Sequence, residues 1–359
     1  VWDYIQKPCS LSPMKLVLTR ALQYREQKGL AVKPPVLLKR ENIVGSSPQL
    51  QDCLNLVAQA AQSNINVLIT GETGTGKDLF ARAIHDNSQR AGKDFVVVDC
   101  AAMPENLVES MLFGHEKGAF TGADRAREGL IKQARRGTLF LDEIGELPPL
   151  IQKSFLRVLQ ERRFRPIGSS KEEESDFRLI AATNRKLDKM VADGQFRTDL
   201  LFRIQALNIE LPPLRGRKDD IKELTLHYLK KLCEGYGIAM KGIAREFFEA
   251  LTAYEWPGNV RELVHALDTS LTRAFQEPAL YPKHLPTYLR VKLARASAKE
   301  VAEPGIAAAR GEKKIEKLST LSSFREEVVD EAERQYLSEL LDRTRGDTQE
   351  ICRISGLSR

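Results

Sequence analysis

The run Ile65-Asn66-Val67-Leu68-Ile69-Thr70 constrains this chain most, because a short apolar, β-rich segment feeds straight into a glycine loop and then a helix. The loop is Gly71-Glu72-Thr73-Gly74-Thr75-Gly76-Lys77-Asp78, and the helical stretch runs from Leu79 to His85. Strand, glycine loop and helix in that order form a turn whose backbone N–H groups crowd around phosphate oxygens, with the helix N-terminus adding positive potential. Lys77 is placed to reach the β and γ phosphates of ATP, so Gly71, Glu72, Thr73, Gly74, Thr75, Gly76, Lys77 and Asp78 are the candidate nucleotide-binding residues. Asp78 stands where most such loops carry Ser or Thr to hold Mg2+, and magnesium must then lean on other ligands.

Those ligands end a second apolar run, Gly137-Thr138-Leu139-Phe140-Leu141-Asp142-Glu143. It is too hydrophobic for an exposed edge and reads as a buried parallel strand that delivers Asp142 to magnesium and Glu143 to the attacking water. Two adjacent acids alone would suggest a solvated turn; downstream of a phosphate loop they read as catalytic. A third strand, Phe177 to Asn184, ends in Thr183 and Asn184, which either sense the γ phosphate or cap the next helix. Arg197 and Arg203 lie in an otherwise apolar-flanked segment. They are either surface ion-pair partners or fingers that reach a neighbouring subunit's nucleotide.

Further on, Arg217 to Glu234 and Ala244 to Tyr254 look helical, and Trp256-Pro257-Gly258-Asn259 opens another helix. Asn259 followed by Glu262 resembles a capping box. Arg261 then falls in the first helical turn, where the helix dipole gives a cation nothing. An anionic partner, phosphate first among them, or a nearby carboxylate would account for it.

The hexapeptide Gly118-Ala119-Phe120-Thr121-Gly122-Ala123 brackets one aromatic and one hydroxyl with glycines, so the backbone turns sharply at each end and presents Phe120 on a loop. A hairpin with a buried Phe, worth about 1.5–3 kcal/mol, is the alternative. The 359 residues allow two or three cored domains. The net charge of +6 permits a nucleic-acid partner without requiring one. The apolar runs fall short of the roughly 20 residues that span a bilayer, so no membrane role is expected. Cys9, Cys53, Cys100, Cys233 and Cys352 are scattered, which fits reduced thiols and a cytoplasmic location. The start, Val1-Trp2-Asp3, reads as an internal cut rather than a leader.

In this order the motifs resemble those of the NtrC-family sigma-54-dependent activators, AAA+ response regulators that are bacterial enhancer-binding proteins, over nearly the whole chain. The implied fold is α/β: an AAA+ P-loop NTPase core with a parallel sheet and a helical lid. A partial receiver remnant and a partial Fis-type helix-turn-helix complete it. Gly71 to Asp78 matches the family's phosphate loop, in which an acidic residue commonly follows the lysine. The resemblance makes Asp142 and Glu143 the Walker B pair, Asn184 part of sensor I, Arg197 and Arg203 arginine fingers, and Arg261 sensor II. Gly118 to Ala123 matches the family signature that contacts the sigma factor. Asp99 stands where relatives often carry an Asn that restrains the catalytic glutamate. An ionised carboxylate cannot donate that bond, so coupling of Asp99 to Glu143 through water or a proton is the expectation.

The same resemblance assigns 1–32 to the end of a receiver domain and linker, 33–212 to the α/β subdomain and 213–289 to the lid. It assigns 290–322 to a linker and 323–359 to a helix-turn-helix cut short before its recognition helix. Implied partners are sigma-54 RNA polymerase, enhancer DNA through the complete helix-turn-helix, a sensor kinase through the missing receiver, and further copies of the chain. Those copies would form an inactive dimer and an active hexamer or heptamer. Rival readings are an AAA+ remodeller of another target and a DNA-binding regulator that uses nucleotide only as a conformational ligand.

Overall fold

A computed structural model describes residues 38–301 and, beyond them, Asp330, Arg334 and Arg353. The expected receiver remnant and, but for those three residues, the expected helix-turn-helix lie outside the described residues. Five parallel strands make the central sheet: β1 (Val67–Thr70), β2 (Phe95–Asp99), β3 (Thr138–Asp142), β4 (Arg178–Thr183) and β5 (Leu207–Glu210). Their spatial order is β2-β3-β4-β1-β5. β3 is buried up to its final residue and β4 throughout, as the apolar runs required.

Because successive side chains point to opposite faces, each strand divides its residues between two cores. Val67, Ile69, Phe140, Ile180 and Ala182 face one cluster, covered by helices α1 (Pro48–Ala61) and α2 (Lys77–Asp86). Leu68, Leu139, Leu141, Leu179 and Ala181 face the other, covered by α3 (Pro149–Glu161) and α4 (Thr198–Ile204). α1 shows the cause in its sequence. Pro48 starts it, and Leu50, Cys53, Leu54, Val57, Ala60 and Ala61 recur at three- and four-residue spacing to give one buried stripe.

A third core gathers residues between Leu214 and Leu289 around Trp256, with helices α5 (Asp220–Tyr236), α6 (Arg245–Ala253) and α7 (Asn259–Arg273). Trp256 is fully buried, donates Nε1–H to the Leu251 carbonyl at 2.8 Å and meets Tyr254 edge-on. α5 starts at Asp220 rather than at the expected Arg217, because Leu214–Gly216 forms a separate 3-10 turn that the Arg217 N–H closes on the Leu214 carbonyl.

The expected capping box at Asn259 does not form. Gly258 is the N-cap, and Glu262 accepts its N–H at 2.8 Å. Asn259 is already inside the helix at φ 52°, with its side chain free for another task.

Between β2 and β3 the chain forms a short antiparallel stem, Gly114–His115 against Arg127–Glu128, and Gly118 to Ala123 lie in the loop above it. A second small hairpin, Arg163–Phe164 against Glu173–Glu174, leans on the first. Ile167 exchanges backbone hydrogen bonds with Gly114 and Glu116 at 2.9 and 3.0 Å.

Candidate active site

Sheet register sets Thr70 beside Thr183 and Asp99 beside Asp142, so the phosphate loop and the acidic strand end leave the sheet at one rim. That rim is where open α/β sheets bind ligands. A cavity of about 720 Å³ opens on it, with Gly71, Glu72, Asn184, Arg185 and Arg215 in its walls.

Lys77 opens α2 and is buried, with its Nζ donating to the carbonyls of Gly71 at 3.2 Å and Glu72 at 3.5 Å and lying 3.4 Å from Glu143 Oε1. The other carboxylate oxygen of Glu143 accepts the Asn184 backbone N–H at 3.0 Å. Asn184 in turn donates Nδ2–H to Thr73 Oγ1 at 2.9 Å, tying β4 to the phosphate loop. The expected catalytic base is therefore clasped between the phosphate-loop ammonium and the end of β4. Its backbone sits at φ 51°, a left-handed conformation rare for a side chain of this size.

Asp142 is half-buried, and burial first, then the neighbouring Glu143 charge, push its carboxyl above the usual aspartate range. Its Oδ1 accepts the Glu143 N–H at 3.0 Å, and Oδ2 has no hydrogen-bond donor among the described residues. A hard oxygen donor disfavoured as a bare anion fits a divalent cation such as Mg2+. Asp78 is exposed on the second residue of α2.

Asp99 makes no direct hydrogen bond to Glu143 among the described residues, so the expected coupling would run through water or a proton. Asp99 Oδ1 accepts the N–H groups of Ala101 and Ala102 at 3.0 and 3.2 Å, so the carboxylate caps its own turn.

Glu72 keeps its place in the phosphate loop by its backbone. Its side chain is turned away to the lid, where Arg215 donates to both carboxylate oxygens and Asn259 Nδ2 donates at 3.1 Å. Asn259 Oδ1 accepts the Leu214 N–H at 2.7 Å, which is the task that displaced it from capping.

Arg261 is exposed at the first turn of α7, and its N–H and that of Val260 both reach the Gly74 carbonyl, at 3.3 and 3.0 Å. Its guanidinium has no ion pair among the described residues, which removes the carboxylate alternative.

Arg197 is the N-cap of α4 and Arg203 lies in its last turn. Arg197 pairs with Asp199 at 2.7 Å in a half-exposed bridge, and Arg203 donates to the Leu159 carbonyl at 3.1 Å. Neither touches the phosphate loop, Asp142 or Glu143 within the chain. Phe202 between them is 77% exposed.

In the hexapeptide, Phe120 is 39% exposed and its ring meets His115 edge-on at 4.9 Å. Thr121 and Gly122 are exposed as well, Ala119 is half-buried, and Ala123 is buried at 5% where its carbonyl takes the Gly118 N–H at 2.8 Å. A Phe so exposed forgoes the stabilisation of a core position, which overturns the buried-hairpin alternative.

The Sigma-54 interaction domain family matches residues 43–210 and the AAA+ ATPase lid domain family matches residues 215–302. Regulatory protein AtoC of Escherichia coli (strain K12) is 39% identical over 362 residues, covering 100% of this chain and 75% of that protein. Transcriptional regulatory protein ZraR of Salmonella typhimurium is 44% identical over 269 residues, covering 75% of this chain and 61% of that protein. Among solved structures, NtrX from Brucella abortus in complex with ADP aligns with a TM-score of 0.65 at 28% identity, over 99% of this chain and 76% of that one.

Proposed function

The chain belongs to the sigma-54-dependent transcriptional activators, whose engine is an AAA+ ATPase, and on that premise we propose how its residues divide the work. Lys77 and the backbone N–H groups of Gly71 to Asp78 hold the phosphates of ATP, and Arg261 meets them from the lid. Asp142 would hold Mg2+, with Asp78 near the same phosphates; magnesium bound there would offset charge on the phosphate oxygens. Glu143 orients and deprotonates the attacking water once Lys77 turns from it to phosphate. Asn184 keeps that carboxylate aimed and relays its position to Thr73. The geometry of Glu143 between Lys77 and Asn184 is the observation that supports this assignment most strongly.

Arg197 and Arg203 would act on the nucleotide of the next copy in a hexameric or heptameric ring, with an inactive dimer as the resting form. Their placement on α4 beside the exposed Phe202, apart from the chain's own site, supports that reading. Hydrolysis would move Phe120 and Thr121 against the sigma-54 form of RNA polymerase and remodel the closed promoter complex. Enhancer DNA, a sensor kinase and a cytoplasmic setting complete the proposal by analogy with the family's response regulators. Among the described residues no helix is long and apolar enough to cross a membrane.

Steady-state phosphate release tests the assignment. The parent should hydrolyse ATP only with magnesium, and Glu143→Gln should lower kcat by about 10²-fold or more while still binding ATP. Retained turnover in Glu143→Gln would reject Glu143 as the base.

A further inference from the structure

We propose that the Glu72 side chain is a positioning group that latches the lid onto the phosphate loop, and so sets how tightly nucleotide is held without itself touching it. The proposal rests on the reading of Gly71 to Asp78 as the nucleotide site. One carboxylate grips the lid at two elements. Arg215, in the 3-10 turn Leu214–Gly216, donates Nη1 at 2.8 Å to Oε2 and Nη2 to Oε1, and Asn259, at the start of α7, donates at 3.1 Å. The pairing with Arg215 first, and Asn259 second, lowers the Glu72 carboxyl to about 2, so the latch stays ionised throughout the neutral range.

Backbone contacts complete the joint. The Thr73 carbonyl accepts Asn259 Nδ2–H at 3.1 Å, and the Gly74 carbonyl accepts the Val260 and Arg261 N–H groups. Gly74, at φ 80°, permits this approach, since a Cβ there would collide with the Gly258 carbonyl. The lid helix thus rests its N-terminus on the phosphate loop, and Glu72 supplies the charge that keeps it there. Arg261, whose guanidinium is unpaired among the described residues, is carried by the same joint. Releasing the latch therefore withdraws a cation from the phosphates.

An exposed single ion pair shifts an equilibrium by at most about fivefold. This one is bidentate and shared with Asn259, so an effect of about three- to tenfold is expected. The test uses the 359-residue chain with Glu72→Gln, Arg215→Gln and both together. A fluorescent ATP analogue reports Kd, phosphate release reports KM and kcat, and hydrogen exchange reports the Val260 and Arg261 amides.

Each single variant should raise Kd and KM about three- to tenfold, leave kcat at saturating ATP within about twofold, and speed exchange at Val260 and Arg261. The double variant should be no worse than either single, because all three remove one latch. Parental affinity and exchange in Glu72→Gln, or additive losses in the double variant, would overturn the latch alone. A parent that binds no nucleotide would overturn the phosphate-site reading and the latch with it.

Discussion

At Glu143 the backbone holds a left-handed conformation that costs a non-glycine residue about 1–3 kcal/mol, and it does so at the one position where a carboxylate must meet both Lys77 and Asn184. Asp142 stores a cost of another kind. Its carboxyl titrates above the ordinary value of 3.8, so the folded chain favours its protonated form. Stability from that preference is complete below about pH 3.8 and is lost as pH rises through the higher folded value. Asp142→Asn should therefore raise the Tm of the nucleotide-free protein at pH 7 by up to about 3 °C, with the gain vanishing in acid, while magnesium-dependent hydrolysis disappears. Thermal melts across pH check this; a lower Tm at pH 7 would contradict it. Lys77, Asp142 and Glu143 were legible in the sequence because each sits at the end of a short local pattern. The grip of Glu72 on the lid was not, because its partner Arg215 is 143 positions away and only folding reveals which side chain it meets.

The elements around the hexapeptide are small. The hexapeptide loop stands on a two-residue stem, and the second hairpin presses Gly168 against it. A Cβ at Gly168 would lie 2.8 Å from Ala119 Cβ, at a backbone φ of 77° that already disfavours side chains. Gly168→Val should shift the loop, reduce promoter opening and leave basal phosphate release near parental. Transcription assays beside ATPase assays read both, and normal promoter opening would remove the brace. The hexapeptide was readable from its glycines and its place between the two nucleotide motifs. The second hairpin was not, because strands of two residues carry no periodicity. The capping box did not form for a related reason: Asn259 serves the lid joint, a contact made by tertiary packing rather than by local preference.

For the whole molecule, the sheet, its apolar strand runs and the helical lid followed from sequence pattern, whereas the lid's grip on the phosphate loop depended on long-range contacts. Phe202 and Leu150 are 77% and 84% exposed on α4 and α3, with Phe202 between Arg197 and Arg203 in the chain, and a neighbouring copy would cover such apolar surface. If the arginines act across a boundary, Arg203→Ala and Glu143→Gln each lower hydrolysis steeply, yet mixing them restores part of it. Some boundaries then combine an intact Glu143 with an intact Arg203. Phosphate release on mixing checks this, and activity equal to the sum of the separate variants would place the arginine's work within one chain.

On this reading, nucleotide chemistry at the sheet rim drives the exposed aromatic loop against the transcription machinery. Phosphate release and open-complex formation, measured together on a sigma-54 promoter with parent and Phe120→Ala protein, address it most directly. The variant should keep hydrolysing ATP and form no open complexes. Parental levels of open complex from Phe120→Ala would contradict the account.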